Sequence, residues 1–269
     1  MDRKRGQAQY RYIMERQKKL TIYSGILAVL VLVLMISVIA TMRSQKVQAD
    51  EKKTVTVQKP QDTVEQETET ENTETEVEQV GEGLTIVLDP GHGALDPGCG
   101  GYDDIWEADI NLAVARKLEE QLVKYGYTVL YTRQEEETYL DVYSRADYAN
   151  EQDADLFVSI HMNADGTEDG EGIASGIETW YSNKGDDSET FAKLVQESVI
   201  AATGAEDIGY KDDIYVVTHD TTMPAILIEC GFLTYRQERE NLASDSYQTT
   251  LAEGIVSGIV QFTKESVLK

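Results

Sequence analysis

The sequence predicts an α/β fold: an open, twisted, mostly parallel sheet of about six strands flanked by helices, preceded by one transmembrane helix and a disordered linker. Three observations carry this. Residues 83–269 alternate apolar, strand-like runs with segments of helical periodicity. Residues 21–42 contain no charged side chain. Residues 43–82 have no aromatic residue and no regular apolar period. The whole chain of 269 residues carries 49 Asp+Glu against 24 Lys+Arg, a net charge of −25. Such an acidic chain is not a non-specific nucleic-acid binder, because phosphate binding needs a basic surface. Its hydrophobic content of 41% suffices for a packed core, and two cysteines are too few for a disulfide scaffold.

Residues 1–20 hold seven Lys/Arg and two acids. The uncharged stretch from Thr21 to Met42 that follows is long enough, as a helix, to span roughly 30 Å of hydrocarbon. It lacks the polar face that a buried core helix normally shows. Positive charge gathered before the helix places the N-terminus in the cytoplasm and the remainder outside, as a single-pass membrane protein. A cleaved signal peptide, giving a secreted chain, is the competing reading. Val47-Gln48-Ala49 would serve as its cleavage site, although Arg43 and Lys46 intervene and a signal core usually runs to only about 7–15 residues. Residues 43–82 carry 11 acids and five bases and cannot bury enough apolar area to offset chain entropy. They read as a solvated tether with an r.m.s. reach of about 35 Å. Residues 83–269 keep 36 acids and 12 bases and all the candidate chemistry.

Within that domain LTIVLD is a first buried strand, stopped by DPGHG. A helix follows from about Glu107 to Lys124, with Ile110, Leu112, Val114, Leu118, Leu122 and Val123 apolar and Gly126 as its C-terminal cap. YTVLYT is a second strand, and a helix spans about Tyr139–Asn150. DLFVSIHMN and GIETWYS are the third and fourth strands. A helix over Asp186–Ala202 precedes a fifth strand, DIYVV. PAILIECGF is the sixth strand, and Ser246–Phe262 the last helix. Strands alternating with helices favour a sheet covered on both faces, whose functional residues collect at the carboxyl ends of the strands.

The notable polar groups sit at such ends. His92 follows the first strand, His161 ends the third and Glu229 lies in the last turn of the sixth. Two of only three histidines thus occupy equivalent loop-side positions, which core packing does not require. A catalytic zinc takes three protein N/O ligands and keeps a fourth position open. His92 and His161 supply two. The third could come from Asp96, Asp103, Asp104, Glu107, Asp109 or Glu229, and spacing alone does not choose.

The runs IVLDPGHG, WEADINL, YTVLYTR, LFVSIHMNA, ASGIETWY and MPAILIECGFLT together resemble the zinc-dependent N-acetylmuramoyl-L-alanine amidases of the Amidase_3 type. The resemblance covers residues 84–263 in the family's order. It implies a single zinc held by His92, Glu107 and His161, with Glu229 as the catalytic glutamate. It also implies peptidoglycan as substrate and, as reaction, hydrolysis of the amide joining N-acetylmuramic acid to L-alanine. Glu229 would then act as general base and acid, while the zinc lowers the pKa of its water to about 7. Membrane contact through residues 21–42 would anchor the enzyme at its wall substrate. Nothing in the sequence points to nucleic acid or identifies a protein activator.

Some positions depart from the family pattern. Ala94-Leu95 replace a glycine and a polar residue, and Met162 replaces a small one between His161 and Asn163. Asn163 reads either as a ligand- or substrate-orienting group or as a turn residue. His219 reads better as an exposed loop histidine than as part of the cleft. Cys99 and Cys230 invite a Cys₂His₂ zinc site, but such a site would fill the position that catalysis needs open. A disulfide between them depends on a Cα separation that the sequence does not give. The glycines of GHGALDPGCGG are not a dinucleotide loop, because no helix begins at the third glycine. Between Trp180 and Tyr215 there is room for one ordinary helix, too little for the autoinhibitory insert of some relatives, so the cleft is expected to be open. Two rivals remain: a different zinc peptidase acting on wall peptides, and a non-catalytic wall-binding domain. Intact His92, Glu107, His161 and Glu229 argue against the second.

Overall fold

Six strands form one sheet in the order β4-β1-β5-β8-β6-β7, and every neighbouring pair but one is parallel. In chain order these are β1 (Thr85–Pro90), β4 (Thr128–Tyr131), β5 (Leu156–Asn163), β6 (Ile177–Tyr181), β7 (Asp207–Asp212) and β8 (Ala225–Phe232). A small antiparallel hairpin, β2 (Gly100–Tyr102) with β3 (Ile105–Trp106), follows β1. The helices are α1 (Glu107–Leu122), α2 (Val142–Glu151), α3 (Ser188–Thr203), α4 (Val216–His219), α5 (Arg236–Leu242) and α6 (Asp245–Glu265). This computed structural model describes residues 77–136, 138–167 and 170–266. The basic segment 1–20, the transmembrane helix expected over 21–42 and linker residues 43–76 lie outside the described residues. Among the described residues, no helix is long and apolar enough to cross a membrane.

Residues 77–82, which composition assigns to the linker, dock on the domain. Gly81 donates from its backbone to Tyr125 O, Gln79 Nε2 donates to Lys124 O, and Val80 packs against the core. One apolar side chain and a few backbone bonds are enough to order a segment whose charge pattern reads as a tether.

The central strands β1, β5 and β8 are buried on both faces, which is why IVL, LFVSI and AILI are continuous apolar runs. One face is covered by α1, α3 and α6. The stripe Ile110, Val114, Ala115, Leu118 and Leu122 of α1 recurs every three to four residues and joins Phe191, Val195, Val199, Leu251, Ile255 and Ile259 in the larger core. Helix α1 gives way to a 3₁₀ turn ending at Gly126, whose φ of 90° suits the left-handed cap expected there. Gly254 and Gly258 let α6 approach the backbone of α3. The opposite face is covered more thinly, by α2 and the four-residue α4, over a small cluster that includes Val87, Phe157, Val217 and Leu227. Asp141 caps α2 by accepting from the N–H groups of Tyr143 and Ser144, so this helix starts at Val142 and not at Tyr139.

The fifth strand is a correction. DIYVV does not form it; the edge strand is DIGYKD, and Val216–His219 turns into α4. Strand β7 pairs with β6 through Asp212 and its ladder ends where Asp213 N–H donates to Tyr181 O. The chain then turns: Thr218 and His219 both donate to Tyr215 O, which carries Val217 into the smaller core. The β-branched residues that suggest a strand are used there for burial. Helix α3 packs on α6, and none of its residues lines the cleft at the candidate site.

Candidate active site

Because β1, β5 and β8 run parallel, their carboxyl ends share one edge of the sheet. Gly91 donates to Ile160 O just past β1, and His161 stands opposite Glu229 in the register of β5 and β8. Glu107 reaches the same point as the first residue of α1. The structure thus brings together His92, Glu107 and His161, whose donor atoms all lie within 4.8 Å of one another. His92 Nε2 is 3.1 Å and His161 Nδ1 2.9 Å from Glu107 Oε1.

Each of these side chains is held from behind. Glu107 is buried and accepts from Cys99 N–H at 2.9 Å on Oε2 and from Met162 N–H at 3.2 Å on Oε1. Burial opposes its charge, but the two imidazoles outweigh it and hold the carboxyl well below the usual range. Asp96 accepts from His92 Nδ1 at 2.8 Å, which turns Nε2 towards Glu107. Burial opposes the imidazolium of His92, yet contact with Asp96 and Glu107 pushes it up to about 10. Gly91 has no side chain because a Cβ there would occupy the place of the His161 imidazole.

Two arginines pin the loop, and sequence reading assigned them no role. Arg133 donates to Pro90 O, Gly91 O and Ala108 O at 2.8–2.9 Å. Arg145 donates to Pro90 O at 3.0 Å, His92 O at 2.8 Å and Asp89 Oδ1 at 2.6 Å. These bonds fix His92 at φ 59°, a left-handed conformation that costs a non-glycine residue energy unless its surroundings impose it. The available signal was an arginine on the helix face that also carries Ala146 and Ala149, both buried.

Asp89 is fully buried; burial pushes its carboxyl up, but Arg145, Thr132 and Ser159 together hold it below the usual carboxylate value. Arg145→Met should therefore lower stability by about 3–5 kcal/mol, the cost of leaving a buried charge alone. Urea unfolding followed by the fluorescence of Trp106 and Trp180 measures it, and an unchanged midpoint would contradict the account. The sign with pH follows. A carboxyl with a depressed folded value gives stability that is present above the unfolded value of about 3.9 and lost as pH falls through the folded one. The difference between wild type and variant should accordingly shrink on acidification below about pH 4.

Glu229 stands beside this cluster on the third central strand. Its Oε2 is buried and has no hydrogen-bond partner among the described residues. Burial is the main cause that pushes its carboxyl up to about 7, near the range suited to proton exchange at neutral pH. Its cross-strand neighbour on β6, Glu178, is held by Lys211 Nζ at 2.6 Å and Asn163 Nδ2 at 2.7 Å. Asn163 therefore holds Glu178. A cleft of about 390 Å³ opens over Glu229, His161 and His92. The segment entering α2 (Tyr139, Leu140, Val142) and the segment Ile214–Val217 also line it.

The other candidates separate. Asp96 serves His92, Asp103 accepts from Arg239 across the β2–β3 hairpin, Asp104 is exposed in the same turn, and Asp109 lies in the first turn of α1. His219 is exposed, bonded to Asp220 and outside the cleft lining. Neither cysteine is in a disulfide: Cys99 Sγ donates to Met162 O, and Cys230 is buried. Met162 is buried in the larger core, which explains how a large residue is accepted there. Leu95 is exposed.

The donor set of two imidazole nitrogens and one carboxylate oxygen, with a buried acceptor lacking a partner on the adjacent strand, fits zinc. The cluster lies at the carboxyl edge of a mostly parallel α/β sheet, where such folds place their ligands, and its donor set is of the kind used by metal-dependent hydrolases. The comparisons give the family. The chain belongs to the N-acetylmuramoyl-L-alanine amidase family Amidase_3, whose model matches residues 86–261.

It is similar to the N-acetylmuramoyl-L-alanine amidase of Clostridium difficile 630, with 39% identity and a TM-score of 0.65 over 68% of this chain and 98% of that one. The catalytic domain of CwlV from Bacillus (Paenibacillus) polymyxa var. colistinus gives 34% and 0.63 over 69% and 99%. The amidase LytC of Bacillus subtilis is 30% identical over 68% of this chain, which spans 36% of that protein. The activity that goes with the family is hydrolysis of the bond between N-acetylmuramic acid and L-alanine in peptidoglycan, and the family is zinc-dependent.

Proposed function

We propose that this chain is a membrane-anchored zinc amidase in which His92, Glu107 and His161 hold one zinc ion and Glu229 exchanges the protons. The observation that carries the site assignment is the convergence of those three donor groups beside the buried Oε2 of Glu229. When bound, zinc supplies a Lewis acid that acidifies water and polarises the scissile carbonyl. The protein does the rest. Asp96 orients His92, and Cys99 and Met162 N–H groups orient Glu107. Glu229 takes a proton from the attacking water on its carboxylate. As the C–N bond breaks, it delivers that proton to the departing amine of L-alanine, leaving the lactyl carboxylic acid. The water oxygen ends on the carbonyl carbon.

The anchor belongs to the same proposal. The uncharged stretch 21–42 behind a basic N-terminus supports a single span with residues 83–269 outside the cytoplasm. The test is digestion of purified peptidoglycan by the chain, with and without a chelator. Mass spectrometry should find stem peptides with a free L-alanine N-terminus, lost on chelation and restored by zinc. Cleavage within the stem peptide would instead establish the peptidase rival, and no cleavage the non-catalytic one.

A further inference from the structure

The stretch of cleft lining from Ile214 to Val217 has little of its own to hold it in place. Ile214 is 75% exposed, and Tyr215 keeps 38% of its surface although its ring meets Trp180 edge-on. Val217 is the buried residue of the stretch. Helix α4, which it enters, has four residues, too few to persist on local hydrogen bonds. The stretch is clasped at both ends, however, by the chain leaving β6. Before it, the buried hydroxyl of Ser182 donates to Asp213 O at 2.6 Å. After it, Lys184 Nζ donates to Thr218 O at 3.0 Å, Thr221 O at 2.7 Å, Thr221 Oγ1 at 2.9 Å and Met223 O at 2.8 Å. Ser182 Oγ also stands 2.8 Å from Thr218 Oγ1, which joins the two clasps. Thr218, Thr221 and Met223 are buried, and the Lys184 side chain is only 16% exposed, with Asp186 Oδ2 at 3.4 Å. On the outer side of the same turn, Asn150 donates to Asp220 O and accepts from Thr222 N–H.

We infer that Lys184 is a positioning residue for hydrolysis: by drawing the carbonyls of Thr218, Thr221 and Met223 onto one ammonium, it fixes the cleft wall Ile214–Val217 against which substrate is held. This rests on the amidase reading. An ammonium has three N–H donors, and convergent carbonyls repel one another and lose their partner without it. A substrate that reaches Glu229 enters the cleft that Ile214, Tyr215, Val216 and Val217 line. The metal-binding cluster and Glu229 are positioned separately, by the pairing of β1, β5 and β8 and by the start of α1. Loosening the wall therefore weakens the hold on substrate and transition state alike, which raises KM and leaves kcat near its original value. A displacement of the wall by about 1 Å should lower kcat/KM by about 10–10²-fold.

The experiment compares the zinc-loaded full chain with Lys184→Ala on a soluble muropeptide, with KM, kcat and zinc content measured for each. The variant should show a KM raised about tenfold or more, with kcat and zinc close to wild type. Added propylammonium supplies the atoms that the substitution removes beyond Cβ and should bring KM back down. Tetramethylammonium at the same concentration carries the charge without an N–H donor and should not. Lys184→Met keeps the stem packed, so it should raise KM in the same way and respond to neither cation. An unchanged KM in either folded variant, a loss confined to kcat, or equal rescue by the two cations overturns the inference. Failure of both variants to fold with zinc would make Lys184 a support of the fold at large and overturns the local role. Absence of cleavage by the wild type overturns the amidase reading itself, so the two failures are distinguishable.

Discussion

Glu229→Gln is expected to lower the turnover of peptidoglycan by at least about 10²–10⁴-fold while leaving metal content and thermal unfolding close to wild type. Glutamine keeps the size and one acceptor oxygen of the side chain but cannot take a proton at neutral pH. The buried Oε2 has no hydrogen-bond partner to lose among the described residues, so the fold gives up little. Zinc measured by elemental analysis separates this outcome from simple loss of the metal. A variant with full turnover would remove Glu229 from the chemistry, and one lacking zinc would move it into the ligand set.

His161→Ala should have the second large effect, loss of bound zinc and with it all measurable hydrolysis. Two remaining donors, His92 and Glu107, fall short of the three that a catalytic zinc requires. Elemental analysis of the purified variant reads this directly, and retention of stoichiometric zinc would refute the ligand assignment. The backbone should survive: His161 is half-buried at the end of β5, whereas Leu156–Ile160 carry the buried pairing with β1 and β8. A folded, metal-free protein is therefore the expected product.

Much of this arrangement was readable from the residues. Strands β1, β5 and β8 announce themselves because burial on both faces demands unbroken apolar runs, and the position of His92, His161 and Glu229 at their ends follows from that. Helices α1, α3 and α6 carry stripes that a period near 3.6 reveals. What escaped did so for physical reasons. Edge strand β7, DIGYKD, packs little of itself against the core, and Gly209 at φ 92° breaks its pattern. The hairpin β2–β3 has strands of three and two residues, too short to show alternation. Helix α5, RQERENL, shows few apolar residues because its buried Arg239 is satisfied by Asp103, Gly170 O and Leu233 O. The third-ligand candidates could not be ranked by spacing. Asp96 and Glu107 lie in the same loop-to-helix stretch, and only the direction of α1 sends one to the cluster and the other behind His92. The roles of Arg133 and Arg145 were hidden because most of their partners are backbone carbonyls, which leave no mark in a sequence, and because the Asp89 partner of Arg145 lies 56 positions away.

The register that sets His161 against Glu229 also has a consequence for timing. The four residues of the site are supplied by segments separated by up to 137 positions, from His92 to Glu229, and the strand bearing Glu229 is inserted between two others already made. A growing chain that has reached residue 200 holds both histidines and Glu107 but no proton acceptor and no eighth strand to lie against β5. Hydrolytic competence is therefore expected only once β8 is made, and a chain ending near residue 200 should bind metal poorly positioned for catalysis and leave peptidoglycan uncut.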